Sequence, residues 1–426
     1  MTHAKPSMLV VFLTVFIDLV GFGIVVPLVP IYSRHFGASG WQIGVVIASY
    51  SAMQFVFSPI WGRLSDRHGR RPILLVSTAG AAASYVLFAL ASDAGYEALG
   101  LPALLVSRLV AGACGGNITV AQAYIADITP PQDRARRMGL IGMAFGLGFI
   151  FGPAISGIAL TFGGAAAPGW VAAALCAANF LLAWFILAES LNRDSVPSGR
   201  RPRVSQWMHT LSQPRIGLLV LIFFLATFAF SCFESTLPLL VSDNFALGVP
   251  ADAARPATTV VSLFVFCGVI AALVQGGAIG ALVKALGEPR LVALSLLLTG
   301  AALALLPFIK GHGPLAWSAV LRAADGPWIA MLAALALLAI GSALTRAPLF
   351  ALLSNLAPAT EQGATIGVAQ SAGALARIVG PLFAASLYFH APALPYVVCG
   401  AISMAGAAVA TLRLVPARPP HARDEP

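Results

Sequence analysis

The chain has 426 residues, 59% of them hydrophobic and only 10% charged, with a mean hydropathy of +0.88. Soluble domains run at roughly 45–50% apolar and about 25% charged, so this composition excludes a soluble enzyme or binding module and leaves a polytopic membrane protein. The formal charge of +9 does not point to nucleic acid, because the basic residues are scattered over short connections instead of gathered on one domain.

A bilayer core takes about 20 apolar residues per helix. In chain order the spans fall at 8–32, 41–61, 73–92, 101–127, 137–163 and 169–188, then at 216–242, 258–284, 290–309, 329–356, 363–389 and 392–415. The first follows only His3 and Lys5 and has an apolar stretch too long for a signal-peptide core, so it is expected to stay as a span. Between the two sets of six lies "ESLNRDSVPSGRRPRVSQWMHTLSQPRIG", polar and proline-bearing, which reads as a linker. The predicted organisation is a first bundle over 1–188, a linker over 189–215 and a second bundle with a short tail over 216–426. Cys114, Cys176, Cys232, Cys267 and Cys399 all lie in apolar segments and read as packed thiols, not disulfides or metal ligands.

Orientation follows from Lys and Arg. Eighteen of the 25 fall on one set of connections: the N-terminus, the stretch after the second span, 128–137, the linker, 284–290 and the C-terminus. That bias puts both termini and the linker in the cytoplasm of a cell (inner or plasma) membrane. The densest of these connections is "GRLSDRHGRR", residues 62–71, read as a cytoplasmic turn between the second and third spans. Positive-inside topology accounts for Arg63, Arg67, His68 and Arg71. It does not account for Asp66 between Gly62 and Gly69, glycines that allow close backbone approach, where an acid can face the positive end of a helix.

The halves repeat. "DITPPQDRARRMGLIGMAFGLGFIFGP" (127–153) matches "NLAPATEQGATIGVAQSAGALARIVGP" (355–381), with Pro130 on Pro358, Asp133 on Glu361, Gly139 on Gly367 and Gly152-Pro153 on Gly380-Pro381. Gly62 and Gly69 echo in Gly280 and Gly287 of "GALVKALGEP", where Lys284 replaces Asp66. Such a repeat points to two bundles that rock about a shared midplane site.

Charges inside the spans are few, and an ionisable side chain at mid-membrane is a functional candidate by default. Asp18 lies near mid-depth of the first span, Glu234 in the outer part of the seventh and Asp127 at an edge; Arg108, Arg346 and Arg377 lie inside apolar runs. A mid-membrane carboxylate costs a few kcal/mol unless it is paired or protonated, so Asp18 and Glu234 read as proton-exchanging groups. Tyr50, Gln54, Asn117 and Gln122 are polar at cavity-like positions, as is Arg377 in the second half. Gly148, Gly152 and Gly157 make a small-residue face on the fifth span for close packing, bent by Pro153, and are expected to pack against the second bundle.

In these motifs the chain resembles the major facilitator superfamily, and within it the tetracycline-resistance-like drug:proton antiporters. "GRLSDRHGRR" is similar to the family's cytoplasmic signature, "FIDLVGFGIVVPLVP" to its first-helix motif, "RLVAGACGGN" to its fourth-helix motif and "GLGFIFGPAISG" to its antiporter motif. The resemblance implies an all-α membrane protein, twelve transmembrane helices in two pseudo-symmetric six-helix bundles. It also implies a latch in which Asp66 faces the eleventh helix near Gly363 and Arg70 pairs with Asp127. The first and fourth helices are neighbours in the family. Counted from opposite faces, Asp18 and Arg108 come within roughly 5 Å of the same depth, so an Asp18–Arg108 pair is expected. Tetracycline exporters carry an acid where this chain has Ser84, a histidine near Ala271 and an acid in the ninth helix where "LVALSLLLTG" has none. Tetracycline–metal export is therefore not implied.

The function expected is export of a hydrophobic or amphiphilic molecule in exchange for protons by alternating access. A symporter or facilitator for a small metabolite such as a sugar or organic anion is the alternative. An enzyme has no support: His3, His35, His68, His209, His312, His390 and His421 all sit in loops or at span ends, and no phosphate-binding GxxxxGK[ST] occurs. The expected partners are the small-molecule substrate, protons and the lipid bilayer, with no nucleic acid, no metal and no cofactor, and the chain is expected to act as a monomer.

Overall fold

The structure, a computed structural model, describes residues 7–93, 99–130, 134–191, 203–247, 254–357 and 362–415. Asp133, Glu361 and the surroundings of Gly363 lie outside the described residues. In lipid every backbone polar group must be satisfied within the segment, and the continuous apolar runs meet that demand as helices. Among the described residues, twelve are long and apolar enough to cross a membrane. In order they are Met8–His35, Gly40–His68, Arg70–Ala91, Gly100–Asp127, Gly146–Gly163, Ala167–Ile186, Pro214–Asn244, Ala257–Leu286, Glu288–Phe308, Gly326–Leu356, Thr365–Tyr388 and Leu394–Leu414. The linker carries a short helix, Arg203–Ser212, ahead of the seventh.

One feature of the charged stretch differs from its reading as a turn. Residues 62–68 are the last two turns of the second helix, Gly69 alone breaks the chain at φ +102°, and Arg70 opens the third helix. Outside the bilayer core nothing forces a charged segment out of helix, so the helix continues until the glycine. Gly287 does the same between the eighth and ninth helices at φ +75°.

Packing repeats the same pattern in both halves. The first helix packs on the fifth and sixth as the seventh packs on the eleventh and twelfth, and the third packs on the fourth and sixth as the ninth packs on the tenth and twelfth. Among the described residues, the second helix packs across the halves on the eleventh, the eighth on the fifth, and the end of the first on the seventh. The swap of halves interchanges the first two contacts and maps the third onto itself, which is the two-fold pseudo-symmetry of the fold.

The crossings gather toward the face opposite the linker. A methyl added to Gly44 would meet Pro381 and Leu382, one on Gly40 would meet the Ala385 carbonyl, and one on Gly268 would meet Phe149 and Ile150. Toward the linker face, Gly62, Gly276, Gly277, Gly280 and Gly367 have nothing within 4 Å of such a methyl. The apolar core follows suit. On the far face one cluster runs through both halves, joining Ile24, Leu28 and Tyr32 to Leu237, Phe245 and Tyr388. On the linker face the two halves keep separate clusters, around Leu74 and Val120 in the first and around Leu219 and Leu353 in the second. Among the described residues, then, a cleft lies between the halves, roofed on the far face and open toward the linker face.

Candidate functional site

The fourth helix breaks at "GGN". It runs as Gly100–Gly115 and resumes as Ile118–Asp127. Asn117 N turns to Cys114 O at 3.0 Å, so the carbonyls of Ala113 and Gly115 lose their helical partners. The second helix supplies replacements: Trp61 Nε1 donates to Ala113 O at 2.6 Å and Gln54 Nε2 to Gly115 O at 3.1 Å. Gln54 is therefore a helix-to-helix bond. The absence of side chains at Gly112 and Gly115 lets the Tyr50 backbone and hydroxyl come close.

The break aims Asn117 at the first helix. Asn117 Nδ2 donates to Asp18 Oδ2 at 2.8 Å and to Ser77 Oγ at 3.0 Å. Asn179 Nδ2, fully buried in the sixth helix, donates to Asp18 Oδ1 at 3.0 Å and to Thr14 O at 2.9 Å. Each oxygen of Asp18 thus accepts from a different helix, and a small cavity lined by Asp18, Tyr50, Tyr85, Cys114 and Asn117 lies beside it. Asn179 and Ser77 were not singled out from the sequence. A lone Asn among "CAANFLLAW" was the available signal, since a buried amide in a membrane helix needs partners.

The expected Asp18–Arg108 pair is not formed. Arg108 is 2% exposed, its guanidinium carbon lies 5.7 Å from the Tyr85 ring centre and 5.6 Å from that of Phe88, and its Nε and Nη2 have no hydrogen-bond partner among the described residues. Cation–π contact offsets part of that burial. The depth count failed because the first and fourth spans have 28 residues each, about 42 Å, longer than the bilayer core of about 30 Å. Counting from opposite ends therefore misaligned them. Counted from the linker face, Asp18 is level with Asn117, and Arg108 lies roughly 13 Å deeper. Gln122 is half-buried on the linker-face segment of the fourth helix.

In the second half, Arg377 is half-buried on the eleventh helix, within electrostatic reach of Glu234 and, across the interface, of Tyr50. Glu234 Oε1 is buried without a hydrogen-bond partner among the described residues. The levels agree: Tyr388 Oη donates to Asp243 Oδ2 at 2.7 Å at the far ends of these helices. Glu234 and Arg377 lie about 14 Å and about 17 Å before those residues.

Two further clusters stand at the ends. On the linker face Arg70 Nε donates to Asp127 Oδ2 at 3.0 Å, and its Nη1 donates to Asp66 and, at 2.7 Å, to Ser65 Oγ. Asp66 is 36% exposed and bound within its own half. Glu189, not singled out from the sequence, accepts from Arg70 N at 2.8 Å and Arg71 N at 3.1 Å, capping the third helix. A methyl at Gly69 would strike the Glu189 carboxylate. Gly62, by contrast, approaches nothing in this conformation. On the far face Arg34 Nη1 meets Asp243 Oδ1 at 2.7 Å, an ion pair across the two halves.

The glycine face of the fifth helix divides differently from the expectation. Methyls at Gly148 and Gly152 would strike Leu19 and Gly23 of the first helix, in the same half, and only Gly157 faces the second half, at Val261. Pro153 continues the helix between them. The small residues serve the fit of the fifth helix on the first, which the repeat reproduces at Gly380 against Phe228 and Ser231 of the seventh.

Known proteins share this architecture. The family model described as Major Facilitator Superfamily matches residues 11–324 and 279–426. The tetracycline resistance protein, class E, of Escherichia coli is 34% identical over 88% of this chain and 86% of its own. Multidrug resistance protein 2 of Bacillus subtilis is 26% identical over 94% of each. The crystal structure of the human organic anion transporter MFSD10 superposes with a TM-score of 0.63 at 25% identity, over 95% of this chain and 98% of that one. The chain belongs to the Major Facilitator Superfamily of membrane transporters.

Proposed function

We propose that the protein exports an amphiphilic small molecule in exchange for protons by alternating access. Residues 1–188 and 216–426 are the moving bodies and 189–215 the connection. The linker face is cytoplasmic, on the distribution of Lys and Arg, and the cleft therefore admits substrate from the cytoplasm or the inner leaflet. One chain supplies both walls of the cleft, so a monomer is sufficient. Tetracycline and multidrug resistance relatives support a drug-like cargo.

The observation that carries the reading is the Asp18 carboxyl group, with one oxygen on Asn117 and the other on Asn179. As a carboxylate it accepts at both. A proton on either oxygen sets an O–H against an N–H, so one asparagine must let go. The first helix then separates from the broken fourth helix or from the sixth, a two-state element that a single proton biases. Arg108, held between Tyr85 and Phe88, supplies a fixed positive charge on the far-face side of Asp18, and Glu234 is the second acid on the route. The linker-face cluster of Gly62, Asp66, Gly69, Arg70 and Asp127 acts as the cytoplasmic gate, closing when the halves tilt.

The test is transport in proteoliposomes with an imposed proton gradient, wild type against Asp18→Asn. Substrate extrusion driven by inward proton flow and lost in the variant supports exchange. Proton and substrate moving in the same direction would establish symport, and indifference to the gradient would establish a facilitator.

A further inference from the structure

Just beneath the roof, the cleft pairs a cationic wall with an aromatic one. On the second-half side, Arg377 lies four to five residues below the Pro381–Leu382 crossing, and on the first-half side Tyr50 lies six residues below Gly44 at the same crossing. That places them at similar depth in opposite halves, and each is within the other's electrostatic reach. Arg346 of the tenth helix is exposed, reaches Gln370 Oε1 at 3.5 Å and lies 5.8 Å from the Phe350 ring centre. Gln370 and Arg377 are two turns apart on one face of the eleventh helix, so the two guanidinium groups look onto the same space and repel one another.

Glu234 is the only acid among the described residues within electrostatic reach of Arg377. Asp18 lies in the other half with both oxygens engaged. Opposite stands an apolar wall: Phe22 with its ring centre 4.6 Å from that of Tyr50 and 5.9 Å from that of Phe149. Two like charges facing one low-dielectric space are costly until an anion joins them. The guanidinium fork matches a carboxylate or sulfonate in two parallel bonds.

Building on the transport reading above, we infer that the cleft binds an amphiphilic organic anion. Arg377 with Arg346 holds the anionic head, and the apolar body lies against Phe22, Tyr50 and Phe149. Glu234 attracts Arg377 in the empty site and competes with the substrate for it. A cationic amphiphile meets two repelling groups on the same wall and is rejected.

The experiment is equilibrium binding to the full chain in phosphatidylcholine nanodiscs. The radiolabelled probes share one ring system: 2-naphthoate and naphthalene-2-sulfonate, the neutral 2-naphthamide and the cationic 2-naphthylmethylammonium. The wild type is expected to favour both anions over the amide by about tenfold or more, the effect of charge-assisted hydrogen bonds. Arg377→Gln brings that ratio close to one, Arg377→Lys keeps part of it, and Glu234→Gln tightens anion binding several-fold. General loosening of the fold would not raise affinity in the last variant. Equal binding of the amide or the ammonium by the wild type, no binding of either anion, or an anion preference that survives Arg377→Gln in monodisperse protein would overturn the inference. Because binding is read without a gradient, anion-selective binding without proton-driven efflux would overturn the exchange mechanism alone. Proton-driven efflux of a cation would overturn the anion site alone.

Discussion

Asn117 Nδ2 stands 2.8 Å from Asp18 Oδ2, and the bond joins the break in the fourth helix to the middle of the first. The bond exists because "GGN" cannot complete a regular turn: the side chain that the break releases is the one that reaches the acid. Asn117→Ala removes this donor and the one to Ser77 together. The expected outcome is a loss of about tenfold or more in proton-driven transport, with the helical content unchanged, measured in proteoliposomes beside circular dichroism. Asn179→Ala acts on the other oxygen, and the double variant should lose less than the product of the two single losses, because both act through one carboxyl group.

Glu189 holds the start of the third helix. Its carboxylate accepts from two backbone N–H groups at the positive end of that helix. Glu189→Ala should lower stability by about 1–2 kcal/mol, read as a fall in the melting temperature of detergent-purified protein. Gly69→Ala adds a strained φ of +102° and a collision with the same carboxylate, and is expected to cost at least as much.

On the far face Arg34 and Asp243 bridge the halves while both remain about a third exposed, at 29% and 33%. Solvent screens such a pair to roughly 0–1 kcal/mol. Arg34→Ala should therefore shift the balance toward a far-face-open form by no more than about fivefold. Spin labels at the exposed Trp41 and His390 would report a longer distance population, and an unchanged distribution would show that the pair does not latch this face.

The glycines of the fifth helix separate two kinds of packing. Gly152→Leu places a side chain where backbone atoms of Gly23 and Ile24 already sit within 2.5 to 2.7 Å of a methyl position, so it should abolish monodisperse protein on size exclusion. Gly157→Ala meets only the Val261 methyl at 3.1 Å across the halves. It should leave the protein folded and lengthen the same far-face spin-label distance.

Much of the candidate site was legible residue by residue and little of it in its pairing. Asp18 is conspicuous as one acid in an apolar run, and Arg70 and Asp127 are conspicuous as charges at span ends. The partner of Asp18 was not: Asn117 and Asn179 are 99 and 161 positions away, and depth counted along spans longer than the bilayer selects the wrong residue, Arg108. Glu189 and Asp243 look like ordinary polar ends until the helices that carry them are set side by side.

Twelve spans, their order, their likeness between halves and the bias of basic charge are properties of local composition and periodicity. The need to satisfy every backbone group in lipid leaves an apolar run no other form, so the amino-acid order by itself determined them. Which oxygen meets which amide, which glycine faces which half, and which face of the molecule is shut depend on how helices far apart in the chain are set against one another. Side-chain contacts of about 3 Å are decided by helix tilt, length and kink, quantities that no single helix carries, and only the tertiary structure decided those.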